Sequence, residues 1–341
     1  MSRTVAGSPP RGRSPTEVVI YAALAGNVAV AATKLIAAAL TGSSAMFSEA
    51  VHSVVDCGNE GLILYGHRRS ARRPDLVHPL GYGRELYFWS FVVALMLFAL
   101  GAGASLVQGT RHVLAPRPVE HALVSYIVLA LSFAFEGASW LVAWRTFSRA
   151  RGASTFWTAF RRSKDPPSFM VLFEDSAALL GIAIAASGIA AAEYLALPVL
   201  DGVASILIGL VLAVTALLLA IESKSLLIGE RATPALVDMI CRTARAQPGV
   251  VHANSALTVQ LAPDQVVVAL SIEFEGAMRT DEIELAVAAI ETGVRGSSPE
   301  VVALFVKPQT LARYEVERCA RFGLRSISGR DGTPGDARPP R

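Results

Sequence analysis

Residues 87–109 run for a whole bilayer thickness without one charged side chain, and that stretch constrains the fold more than any other. About 20 largely apolar residues are needed to cross the hydrocarbon core as a helix. Five further windows match in length, at roughly 18–40, 45–66, 122–144, 169–191 and 202–221. The pattern predicts a polytopic α-helical membrane protein with six transmembrane helices. Composition agrees: of 341 residues only 17% are charged and 52% are hydrophobic, where a soluble chain carries about a quarter charged residues. The first two windows are separated only by Thr41-Gly42-Ser43-Ser44, a tight hairpin between helices.

The charges between windows set the orientation. Arg68, Arg69, Arg72, Arg73 and Arg84 lie between the second and third windows. Arg145, Arg149, Arg151, Arg161, Arg162 and Lys164 lie between the fourth and fifth. Arg3, Arg11 and Arg13 precede the first, and the other side offers only Arg111 and Arg117. By the positive-inside rule both termini are expected to be cytoplasmic. Lys34 falls near the outer end of the first helix, where it is expected to snorkel. Residues 1–16 are rich in Ser, Pro, Gly and Arg and read as a disordered cytoplasmic tail ahead of a transmembrane domain over 17–230. The lack of a leader there fits a bacterial inner membrane.

After the sixth window the pattern changes. Thr233–Ala246 has helical spacing, Ser255–Leu261 and Val266–Phe274 alternate as strands around Ala262-Pro263-Asp264, Thr280–Val294 is helical with Thr280 or Asp281 as its cap, and Val301–Val306 alternates again. Residues 231–310 therefore read as a small cytoplasmic αββαβ (α+β) domain, and 311–341 as a largely disordered C-terminal tail. Cys57, Cys241 and Cys319 are scattered and odd in number, which excludes a disulfide scaffold. The small net charge of +3, without a basic domain, gives no reason to expect nucleic acid.

Charged groups inside a membrane are costly and mark functional sites by default. In the second window Glu49, His52 and Asp56 are spaced i, i+3, i+7 and share one helix face. His52 and Asp56, one turn apart, can grip one ion, and imidazole with carboxylate suits zinc and related divalent metals. The fifth window carries Glu174 and Asp175; neighbours on a helix point about 100° apart, so one of the two is expected to complete the site. Two helices giving three or four N/O ligands match tetrahedral zinc. Glu136 is open between a protonated core residue, a lining residue and a partner for Lys34. Asn27 reads as helix–helix glue. Cys57 reads as packing, as do the small pairs Gly101/Ser105 and Ser205/Gly209.

The runs Gly42-Ser43-Ser44-Ala45-Met46, Glu49 through Asp56 and His78-Pro79-Leu80-Gly81-Tyr82-Gly83-Arg84-Glu85, together with Asp201-Gly202 and the αββαβ order, resemble the cation diffusion facilitator family over about residues 17–310. The Glu174-Asp175-Ser176 segment resembles its mitochondrial zinc-transporter branch. The resemblance implies a homodimeric exporter of divalent cations, mostly zinc, that exchanges them for protons across the lipid bilayer. It implies a transport site with His52 and Asp56 from the second helix and Asp175 from the fifth. Four residues before Asp175, where the family usually has His or Asp, stands Val171, so either Glu174 swings in, or water completes a three-ligand site, or the metal choice differs. The family's loop site matches at Asp75 and His78, but its third position holds Tyr82. The C-terminal domain, with His252, Cys241 and scattered carboxylates, is expected mainly to dimerise.

Zinc is thus expected as substrate, with no permanently bound cofactor. Manganese, cobalt or iron on the same site, or a non-transporting metal sensor or scaffold, are the alternatives. A zinc-protease His-Glu-x-x-His run and a phosphate-cradling glycine loop are both missing, and no enzyme is expected.

Overall fold

A computed structural model describes residues 15–152 and 155–323; most of the expected N-terminal tail and the end of the expected C-terminal tail lie outside them. The six windows correspond to α1 (Pro15–Thr41), α2 (Ser44–Ser70), the pair α3 (Arg84–Met96) and α4 (Gly103–Leu114), then α5 (Ala122–Arg151), α7 (Pro166–Tyr194) and α8 (Val199–Ile228). A π-helical turn, Leu97–Ala102, joins α3 to α4 without breaking the rod, and α6 (Phe156–Arg162) is a short link. Among the described residues, four of these are long and apolar enough to cross a membrane: Arg84–Leu114, Ala122–Arg149, Pro166–Tyr194 and Val199–Ile228. Of α1, the section Gly26–Thr41 is apolar but shorter. Although α2 is 27 residues long, it carries Glu49, Asp56 and Glu60. The carboxylates that make it interesting are what lower its hydropathy.

Local chemistry sets the helix ends. Between α1 and α2, Gly42 takes a left-handed φ of +64°, which glycine adopts without a Cβ penalty. Ser43 then caps α2, its Oγ accepting from the Met46 N–H at 3.1 Å. Pro166 opens α7 at a position where its missing N–H costs nothing. The buried interior of this unit is built from small residues, Ala37, Ala45, Ala50, Ala94, Ala177, Ala185 and Ala216, with Met46, Phe169 and Leu212 between them. Where α4 passes α8, a Cβ on Gly109 would lie 2.8 Å from the Gly202 carbonyl oxygen. Close backbone approach there depends on both glycines.

A second compact unit begins at Gly229. Its order is α9 (Pro234–Arg245), β1 (Val250–Ala262), β2 (Gln265–Phe274), α10 (Thr280–Ser297), β3 (Val301–Pro308) and α11 (Leu311–Phe322). The strands form one sheet in the order β1-β2-β3, with β1 antiparallel and β3 parallel to β2. The register Thr258↔Val268↔Leu304 puts one face of the sheet against the helices. There Val268, Leu270 and Ile272 meet Ile240 and Ala244 of α9 and Ile290 and Val294 of α10, all fully buried. Each such aliphatic side chain contributes about 1.5–3 kcal/mol by leaving water.

Two expectations change here. The cap of α10 is Arg279, one residue earlier than expected, and its N–H donates to Glu282 Oε2 at 2.7 Å. Part of the expected tail is ordered: α11 begins at Thr310, whose Oγ1 accepts from the Arg313 N–H, and ends at Gly323 with φ +63°. The start and stop signals were both present, but the Gly-, Pro- and Arg-rich flank hid them.

Candidate metal-transport site

The second helix places His52 and Asp56 as its spacing requires. His52 Nε2 lies 3.4 Å from Asp56 Oδ2, with His52 1% exposed and Asp56 21%. Both ring nitrogens of His52 and Asp56 Oδ1 are buried without a hydrogen-bond partner. Each unsatisfied buried polar atom costs about 1–3 kcal/mol. The pair is therefore short of partners, and a cation or water would supply them.

The two acids of α7 are held by different helices. Asn59 of α2 donates to Glu174 Oε1 at 2.9 Å. Asp175 Oδ2 accepts from Ser139 Oγ of α5 at 2.8 Å, and the next residue, Ser176, accepts from Trp140 Nε1 at 2.9 Å. Both acids are half-buried, whereas Val171, at the position where the family ligand is missing, is exposed. Among the described residues no three His, Cys, Asp or Glu side chains already converge as a metal cage. The residues expected to bind metal thus lie on two facing helices, each held by its own neighbours, rather than closed around one point.

Lys34 departs from expectation, and Glu49 is one of the groups it meets. Lys34 does not snorkel; it is completely buried. Its Nζ donates to Ser53 Oγ at 2.9 Å and to Glu49 Oε2 at 3.3 Å, and lies 3.7 Å from Glu136 Oε1. Position near a helix end suggested a route to the interface, but two acids on α2 and α5 face the ammonium and hold it inside. Glu49, expected among the metal ligands, is the partner of Lys34. Of the three roles open for Glu136, the structure realises the contact with Lys34. Asn27 ties α1 to α2 through Glu60, as its reading as glue implied.

Sequence reasoning missed Asn59, Ser139 and Glu60. For Asn59 and Glu60 a signal existed: they continue the Glu49–His52–Asp56 face one more turn along α2. For Ser139 there was none, because its partner is 36 residues away.

A second buried His–acid pair was also missed. Asp201, at the start of α8, takes Ser43 Oγ at 2.6 Å and the backbone N–H groups of Ser44 and Ala45. It thereby caps α2 from another helix. His112 Nε2 stands 3.8 Å from Asp201 Oδ2.

The loop 71–83 closes on itself. Tyr82 OH donates to Asp75 Oδ2 at 2.6 Å, and the N–H groups of Val77 and His78 donate to Oδ1 at 2.9 and 2.6 Å. The Tyr82 hydroxyl, then the His78 N–H, hold the Asp75 carboxyl below its usual range, and the same bond pushes the Tyr82 phenol up. In the C-terminal unit Cys241 is buried against the sheet and burial raises its thiol, while His252 is exposed. A thiol kept protonated is a poor metal ligand.

The cation efflux transmembrane domain model matches residues 20–228, more than half of the chain and all of the site. This chain belongs to the cation efflux, or cation diffusion facilitator, family. Its members are transporters and not enzymes. The chain is 34% identical over 250 residues to the mitochondrial proton-coupled zinc antiporter SLC30A9 of Xenopus laevis, covering 72% of this chain and 44% of that protein. It is 33% identical over 250 residues to the Homo sapiens protein of the same name, with the same coverage. It is 36% identical over 189 residues to metal tolerance protein C4 of Arabidopsis thaliana, covering 55% of this chain and 41% of that one. The chain therefore spans less than half the length of these relatives. They are named as mitochondrial or come from a plant, and give the expected bacterial inner membrane no support.

Proposed function

We propose that this cation efflux protein exports divalent cations, zinc foremost, in exchange for protons. In this reading it has six spans, cytoplasmic termini and a homodimeric assembly in the bilayer. The observation that carries the reading is the buried His52–Asp56 pair with three unsatisfied polar atoms, opposite the acids of α7. The relatives named as proton-coupled zinc antiporters agree with it.

A zinc ion arriving from the cytoplasm would take His52 and Asp56 on α2 and Asp175 on α7, with Glu174 or water completing the set. Mixed imidazole and carboxylate ligands suit zinc better than the hard alkaline-earth ions. These ligands bind metal only when deprotonated, so binding releases protons and protonation on the far side releases metal. The protons exchanged are those that His52, Asp56 and Asp175 give up on binding metal. The hydrogen bonds from Asn59 and Ser139 to the α7 acids can break when metal binds, coupling α7 and α5 to occupancy.

The test is zinc uptake into proteoliposomes under an imposed pH gradient. His52→Ala and Asp175→Asn should each abolish gradient-driven uptake. Wild-type rates in both would overturn the site. A wild-type protein that binds zinc but moves no zinc, cobalt, iron or manganese would instead be a sensor.

A further inference from the structure

Among the described residues, Lys34 is a fully buried cation. Lys34 Nζ sits among three oxygens from two other helices: Ser53 Oγ at 2.9 Å, Glu49 Oε2 at 3.3 Å and Glu136 Oε1 at 3.7 Å. The Lys34 and Glu49 side chains are fully buried and Glu136 is 13% exposed. Glu49 Oε1, the remaining carboxylate oxygen, is buried without a hydrogen-bond partner. On that side α7 closes in at Gly181, where an added Cβ would collide with Glu49 Oε1. Two carboxylates and a hydroxyl around a buried positive charge, with a further oxygen unsatisfied, are the donor set of a cation site.

We propose that Glu49, Glu136 and Ser53 form a second cation site that Lys34 fills with its own ammonium, and that this tethered charge keeps a second metal ion out of the membrane interior. The inference rests on the transport reading only for its consequence, not for the site itself. An all-oxygen set is the chemistry of hard ions such as manganese, magnesium and calcium. The His52–Asp56 pair, two turns of the same helix at most from Glu49, carries an imidazole and favours zinc. Without Lys34 the two acids would present a hard-cation site beside the softer one. The ammonium offsets one of the two acids' charges and, fixed to α1, cannot be exchanged. Lys34 is thus a specificity-determining residue that touches no transported ion.

The test counts metal bound at equilibrium to the full-length protein in lipid nanodiscs, using manganese and zinc separately, with thermal unfolding followed in parallel. Lys34→Met should acquire manganese binding that the wild type lacks. That gain should vanish in Lys34→Met/Glu49→Gln and survive in Lys34→Met/Asp56→Asn, while zinc binding follows Asp56. A folded Lys34→Met that gains no manganese would overturn the proposal. Glu49→Gln covers the case in which Lys34→Met does not fold: with Lys34 in place it should retain zinc, and loss of zinc would show Glu49 to be a transport ligand and overturn the proposal. Wild-type protein without Asp56-dependent zinc binding would contradict the transport reading alone, since the manganese gain depends on Glu49.

Discussion

Two buried histidine–aspartate pairs lie along the same set of helices, and although His112 Nε2 and His52 Nε2 are both buried without a hydrogen-bond partner, their carboxylates are used in opposite ways. At one end, Asp201 receives a hydroxyl and two backbone N–H groups from the start of α2, so its charge is spent on holding a helix terminus. In the middle of α2, Asp56 faces His52 with one carboxylate oxygen and both ring nitrogens unsatisfied. The same two residue types serve structure in the first place and, in the proposed reading, binding in the second. What separates them is whether the carboxylate's hydrogen bonds are already made: no oxygen of Asp201 is short of a partner, whereas Asp56 Oδ1 is.

If that contrast is right, substitutions should separate stability from binding. The largest loss of stability is expected from Asp201→Ala, which strips the cap and leaves buried N–H groups of α2 unpaired. Each such group costs about 1–3 kcal/mol, so a destabilisation of about 2–4 kcal/mol should appear as a clearly lowered thermal midpoint in detergent. An unchanged midpoint would break the structural half of the comparison. Asp56→Asn should leave the midpoint near that of wild type but weaken zinc binding by more than about 100-fold by calorimetry, because removing even outer partners of a metal ligand costs about 10–100-fold. A midpoint that falls as far as in Asp201→Ala would break the functional half.

Asn59→Ala and Ser139→Ala sharpen the contrast at the next level. Each removes the hydrogen bond that holds an α7 acid, and each should shift zinc affinity by about tenfold with little change in stability. The smallest effect concerns the loop. The Asp75 carboxyl is held below its usual range by Tyr82 and the His78 N–H. A group whose folded pKa is depressed adds stability above its unfolded value, about 3.9, and loses it as pH falls through the folded one. Amide protection factors across 75–82, taken against the intrinsic rate at each pH, should therefore hold at neutral pH and fall only in acid below about pH 4. Tyr82→Phe should move that onset upward, and an onset unmoved by the substitution would show that the hydroxyl does not hold Asp75.

Much of the fold was legible because hydrophobic burial follows periodicity. The apolar windows coincide with the long helices, and the alternation in 266–274 coincides with the central strand that packs on α9 and α10. The site was legible where its members share one helix, as with His52 and Asp56. It was opaque where they do not. The capping of α2 by Asp201 spans 157 residues of sequence, and Lys34 meets Glu136 only because α1 and α5 pack side by side. Rules such as snorkelling weigh a residue's depth along its own helix and have no access to the acids on the next. The C-terminal helix α11 was missed for another reason: it is short, none of its side chains is fully buried, and the Gly-, Pro- and Arg-rich stretch that follows masked its start and stop signals.

The most direct measurement is zinc uptake by proteoliposomes carrying an imposed pH gradient, with Asp56→Asn beside the wild type and both shown to be folded by thermal unfolding. The account predicts gradient-driven uptake by the wild type and the rate of protein-free liposomes for the variant. Equal uptake by the two proteins would contradict it.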